Sequence, residues 1–188
     1  MRQHKLFWGS SYDRGIQHLL KMWPAIKEKY PDAELHVAYG WDLFDKGFAN
    51  NPERMAWKDK INEQFKLPGI THHGRLGKTM LKQIRVQCGI WVYPVEFFEI
   101  NCITALEAQN DGLVPVVVNY GALTETVQSG YKINGDIYDR ETQEEFLTTL
   151  LYLMANEKAW EEESGKAQKF AREFSWNKIS EKWRSHFE

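Results

Sequence analysis

The chain has 188 residues, with 24 Lys and Arg against 26 Asp and Glu for a formal net charge of -2. That length suits one sizeable domain with a single core and is short for two. The basic residues are spread along the sequence, which argues against a nucleic-acid groove as the main function. Eight Trp, eight Tyr and ten Phe supply a large packed interior. No apolar run approaches membrane-spanning length, and MRQHKLFWGSS lacks the apolar core of a signal peptide, so a cytoplasmic protein without a transmembrane segment is expected. Cys88 and Cys102 stand apart without C-x-x-C spacing and read as reduced, buried thiols.

In chain order, residues 5–9 (KLFWG) predict a first strand. A helix follows in DRGIQHLLKMWPAIKEKYP, with Ile16, Leu19, Leu20, Trp23 and Ile26 on one face and Pro24 expected to break or kink it. Residues 34–39 predict strand two. A polar helix within 52–66 carries the stripe Met55, Ile61 and Phe65. Strand three at 70–73 contains His72 and His73, whose adjacent side chains point to opposite faces and are not expected to share a metal. Residues 76–87 place Leu76, Met80, Leu81 and Ile84 on one side of a helix, and residues 90–94 (IWVYP) predict strand four. A helix then begins near Ile103 or Thr104, with Asn101 or Cys102 near its cap. Strand five, 114–118, is apolar at nearly every position, as a parallel strand buried on both faces should be. Phe146, Leu147, Leu150, Leu151 and Met154 mark a helix over 142–156, and a helical pair through 166–174 and 176–187 closes the chain. No repeat or linker divides it.

Strands alternating with helices predict a doubly wound, Rossmann-like α/β domain with a parallel sheet. With strand order 3-2-1-4-5, the ligand crevice lies between the loop after strand one, GSSYDRG, and the loop after strand four, VEFFEIN. There the amides of Asn101, Cys102 and Ile103 at a helix entrance, facing Arg14, suit a phosphate or diphosphate. Glu99, beside those amides, is better placed to accept hydrogen bonds from hydroxyls of an attached group, and Glu107, two turns on, from a vicinal diol such as a ribose. A nucleoside diphosphate sugar has a diol at each end and a diphosphate between. Each residue also has a plainer reading: Glu107 as a solvated helix position, Glu99 as a partner of the helix dipole, Arg14 as a surface charge.

The combination is more specific than its parts. FEINCITALEAQNDGLVPVVVNYGALTETV resembles the carboxyl-terminal, donor-binding domain of retaining GT-B glycosyltransferases (glycosyl transferases group 1), marked by a Glu-x7-Glu motif and a following E-A-x-x-x-G-x-P-V-V stretch. Glu99 and Glu107 match the motif glutamates; Ala108, Gly112, Pro115, Val116 and Val117 match the stretch after them, and Gly121 with Glu125 resembles a later G-x-x-x-E turn. GSSYDRGI is similar to the family's first loop, implying that Arg14 and Gly15 meet the diphosphate; HHGRLGKTML implies Gly74 and Arg75 near the nucleobase; FSWNKISEKW is similar to the terminal helix, with Trp176 at its start. The resemblance implies glycosyl transfer with retention from a UDP-, GDP- or ADP-linked sugar, with Glu99 on the sugar, Glu107 on the ribose and no metal or other cofactor. Glu99 and Arg14 would then be the catalytic pair.

Three departures accompany it. Ser10 or Ser11 stands where many members carry a second basic residue, and Ile100 and Cys102 replace glycines that usually follow the first glutamate. An acceptor domain is not recognisable, so residues 1–188 are expected to form a donor-binding half that requires a separate or missing partner, docking near Trp176, Trp183 and Phe187. A non-catalytic nucleotide-sugar sensor or regulatory subunit is the alternative. The sequence has no G-x-G-x-x-G, no P-loop and no G-x-S-x-G elbow, which argues against a dinucleotide oxidoreductase, a nucleotidase and a serine hydrolase.

Overall fold

A computed structural model describes residues 1–187. Six parallel strands lie in the order β3-β2-β1-β4-β5-β6: β1 Lys5–Trp8, β2 Glu34–Ala38, β3 Ile70–Gly74, β4 Ile90–Tyr93, β5 Val114–Val118 and β6 Tyr131–Ile133. The five expected strands and their order are present. The sixth pairs Val116 with Tyr131 and Val118 with Ile133; three residues are too few for a two-residue period to show in sequence.

The helices are α1 Ile16–Lys29, α2 Asp42–Phe48, α3 Pro52–Gln64, α4 Lys78–Arg85, α5 Ile103–Asn110, α6 Leu123–Thr126, α7 Arg140–Ala155, α8 Glu157–Ala171 and α9 Trp176–Phe187. From β1 the chain crosses to β2 on one side, and from β4 to β5 on the other. Right-handed crossovers therefore put α1 and α5 on opposite faces and leave a crevice between the carboxyl ends of β1 and β4. Helix α5 packs on α8, and α1 on α7.

The core explains the element choices. Leu6, Phe7, Trp8, Trp91, Val92 and Tyr93 in the central strands are fully buried, and every β5 residue is buried. Of the two outcomes expected at Pro24, a break does not occur, and α1 runs continuously through it. Seven buried side chains, including Trp23 and Ile26 on either side of the proline, hold the helix through the one backbone bond that Pro24 cannot donate. Met80 leaves the predicted stripe of α4, being 51% exposed; Arg85 is buried at the end of that helix instead. Helix α8 begins at Glu157, well before the predicted 166, because its first turns are too polar to display a stripe.

Candidate functional site

The crevice is closed at its base by backbone. Gly15 sits at φ 122°, and a Cβ there would lie 2.3 Å from the Pro94 carbonyl oxygen, so only glycine lets the loop after β1 meet the loop after β4. The Glu96 amide donates to the Arg14 carbonyl at 3.2 Å across the same junction. Arg14 is thereby aimed at Glu99, its Nη1 donating to Oε1 at 2.9 Å while its guanidinium lies 4.2 Å from the Phe97 ring centroid. The Tyr93 hydroxyl donates to the same Oε1 at 2.6 Å, and Ser10 Oγ lies 3.1 Å from that hydroxyl.

Glu99 is only 4% exposed. Its main chain is gripped from the far side, where the Ala122 amide donates to the Glu99 carbonyl at 2.8 Å and Gly121 packs against the Glu99 backbone. Burial lowers the Arg14 pKa, but the Glu99 charge and the contact with Tyr93 outweigh it and the guanidinium is held above its ordinary value. Burial, reinforced by Glu99, pushes the Tyr93 phenol well up, so it remains a proton donor.

Cys102 caps α5 without a side-chain hydrogen bond, and the helix begins at Ile103. Burial pushes the Cys102 thiol up to about 12, which keeps it neutral. Asn101 and Ile103 are exposed at this helix entrance. Glu107 is not joined to Glu99. It accepts from Arg85 Nη1 at 2.8 Å, with its side chain 41% exposed.

Gly74, at φ 64°, ends β3, and its carbonyl accepts from the Tyr39 amide at 2.9 Å. Arg75 lines a cleft of about 200 Å³ with Gly9, Ala38, Gly40, Leu76 and Leu81. A second cleft of about 240 Å³ is lined by Ser11, Asp13, Arg14, Phe44, Phe48 and Phe97. Tyr39 and Leu43 border both clefts, so the trough runs along the strand ends from Arg75 to Arg14. Sequence reasoning missed Tyr39, α2 and, above all, Tyr93; a polar ring at the carboxyl end of a central strand beside the expected crevice is the signal that marks the last. Trp41 belongs to an aromatic cluster with Tyr12, Phe44 and Trp57.

His72 Nε2 lies 2.8 Å from the Tyr12 hydroxyl and His73 Nε2 lies 3.0 Å from His36 Nδ1, so the adjacent histidines serve different partners. Among the described residues no group of three or more His, Cys, Asp or Glu side chains is arranged to hold a metal ion, and no helix is long and apolar enough to cross a membrane.

A Rossmann-like parallel sheet with a trough across the ends of its central strands is the fold of GT-B glycosyltransferase domains. The family description "Glycosyl transferases group 1" matches residues 10–174, and the chain belongs to that family. No curated protein sequence matches. Among solved structures, the pneumococcal O-GlcNAc transferase GtfA in complex with UDP and GlcNAc is similar at 20% identity and TM-score 0.69, over 98% of this chain and 35% of that one. Sucrose-phosphate synthase from Thermosynechococcus elongatus is similar at 19% identity and TM-score 0.71, over 97% of this chain and 45% of that one. The catalytic domain of starch synthase IV from Arabidopsis thaliana, bound to ADP and acarbose, is similar at 14% identity and TM-score 0.67, over 96% of this chain and 36% of that one. The chain thus spans less than half the length of each of these neighbours.

Proposed function

We propose that this domain binds the nucleoside diphosphate sugar donor of a retaining glycosyltransferase and acts with an acceptor-binding domain or subunit. The observation that carries this reading is the meeting of Arg14 and Glu99, 2.9 Å apart, at the crevice between the ends of β1 and β4. Arg14 and the amides of Asn101, Cys102 and Ile103 would take the diphosphate; one cation and a helix entrance are a natural anion site. As the sugar–phosphate bond breaks, negative charge develops on the leaving diphosphate, and these fixed donors stabilise it without a metal. Glu99 would receive sugar hydroxyls and steady positive charge developing at the anomeric carbon. Ser10 and Gly15 would border the diphosphate, with Gly74 and Arg75 at the base and Glu107 at the ribose.

Glu107 reaches a ribose in this reading by sharing or leaving Arg85. Its exposure makes that exchange inexpensive. The ligands named with the pneumococcal and Arabidopsis neighbours, UDP and ADP, support a nucleotide in this class of fold. Helix α9, none of whose described residues is buried, offers Trp176, Trp183 and Phe187 as a docking face for the acceptor domain.

Calorimetric titration with UDP, GDP and ADP tests the reading. Selective micromolar binding of one nucleotide, lost in Arg14→Gln and weakened in Glu107→Ala, is expected. A folded chain that binds none of the three would overturn it, and binding that never yields transfer with any acceptor domain would favour the sensor alternative.

A further inference from the structure

Oxygen Oε1 of Glu99 is saturated: Arg14 Nη1 and the Tyr93 hydroxyl both donate to it, at 2.9 and 2.6 Å. The other oxygen, Oε2, takes no hydrogen bond from the described residues. Nor is it fully buried, which leaves it free to accept a hydrogen bond from a ligand. A carboxylate held by two donors on one oxygen cannot rotate without breaking both bonds, which leaves a single orientation for the free oxygen.

The Tyr93 ring is itself immobilised. It is fully buried, with the Trp91 ring stacked at 5.0 Å and 25° on one strand and the Trp8 ring tilted at 5.0 Å on the neighbouring strand. Trp8 Nε1 donates to the Ser10 carbonyl at 2.7 Å, which fixes Ser10. The Ser10 hydroxyl in turn donates to the Tyr93 oxygen, because the phenol proton is committed to the carboxylate. Two indoles, a serine and a tyrosine thus form one chain of contacts ending on Glu99, and each of these side chains is buried.

We propose that Tyr93 is a positioning residue for sugar recognition, locking Glu99 through Oε1 so that Oε2 is presented to the hydroxyls of the donor sugar. Ser10 and Trp8 set the Tyr93 hydroxyl in turn. This rests on the donor-site reading above. It also gives Ser10 a task different from that of a basic residue at the same place: a serine can hydrogen-bond the phenol, whereas a buried cation beside Arg14 would compete with it for Glu99.

The test compares each nucleotide with its own sugar ester, using UDP with UDP-glucose and UDP-N-acetylglucosamine, GDP with GDP-glucose and ADP with ADP-glucose, on the full chain. Tyr93→Phe keeps the ring and removes one hydroxyl. For the pair that binds the parent chain, the expected result is unchanged nucleotide affinity within about twofold and a roughly five- to tenfold fall in the affinity of the sugar ester relative to the nucleotide. In a Glu99→Ala background, which leaves no acceptor for the phenol, Tyr93→Phe should change that ratio no further, because the two residues act as one unit. A merely structural tyrosine would weaken both ligands together or neither, and either result overturns the proposal, as does a ratio change that persists without the Glu99 carboxylate. Failure of the parent chain to bind any nucleotide would instead strike the donor-site reading itself, and the proposal with it.

Discussion

Arg85 joins Glu107 to Asp111, its Nη1 donating to Glu107 at 2.8 Å and its Nε to Asp111 at 2.7 Å, while Arg2 Nη2 donates to the Asp111 carbonyl at 2.8 Å. The two carboxylates are unequal. Asp111 has a side chain only 3% exposed, so removing Arg85 leaves a buried charge, whereas Glu107 can turn to water. Arg85→Met is therefore expected to cost about 3–5 kcal/mol in urea unfolding. Glu107→Gln should cost less than about 1 kcal/mol while weakening nucleotide binding in calorimetry, which separates the structural half of the knot from the ligand half.

This knot also shows where the sequence stops being legible. Glu99 and Glu107 are visible as a pair eight positions apart, and alternation of strands and helices gives the parallel sheet, which brings Arg14 beside Glu99 once the common order 3-2-1-4-5 is assumed. What spacing does not reveal is the third partner. Arg85 comes from α4 and Tyr93 from β4, and their side-chain directions depend on helix phase and strand register beyond what a local pattern encodes. Pro24 and α8 were obscured for the opposite reason: burial against the sheet overrides a local helix breaker, and a polar surface hides a real helix.

Gly121 is required by Glu99. At φ 57° a Cβ would come within 2.6 Å of the Glu99 carbonyl oxygen and 2.8 Å of its nitrogen, so Gly121→Ala must displace the main chain that carries the carboxylate. A stability loss of about 1–3 kcal/mol is expected, with a further loss of affinity for the sugar nucleotide relative to the nucleotide. Gly77→Ala is the control: it has open space around the added methyl group and an ordinary φ of -71°, so it should cost no more than about 1 kcal/mol as an alanine at the N-cap of α4 and leave the affinity ratio unchanged.

Acid should loosen the β2–β3 edge before it touches the carboxylates. The Gly40 amide donates to the Tyr12 hydroxyl, whose own proton is free for His72 Nε2 when that nitrogen is unprotonated. Burial lowers the His72 pKa, and burial with the charges of His36 and His72 lowers that of His73. Both imidazoles thus bind protons more weakly folded than unfolded, so stability is full above the ordinary value of 6.5 and is lost as pH falls below it through the folded-state values. Urea midpoints at about pH 7.5 and pH 5.5 should show the drop, and His72→Phe with His73→Phe should flatten it.

Helix α9 contributes little to the stability of the domain. Trp176 is 87% exposed, Trp183 62% and Phe187 79%, and no described residue of the helix is buried. A 12-residue helix without a packed face is marginal by itself, and exposed tryptophans contribute no burial energy to the fold that carries them. Deleting residues 176–188 should therefore move the thermal midpoint by no more than about 2–4 °C, the equivalent of roughly 1 kcal/mol for a domain of this size. Nucleotide affinity should be unchanged, because the deleted segment lies outside the trough between Arg75 and Arg14. If α9 is the docking face, the same deletion should abolish association with an acceptor domain supplied in trans, read by analytical ultracentrifugation. Retained association would move the interface elsewhere, and a collapse in stability would mean that α9 belongs to the core of the domain.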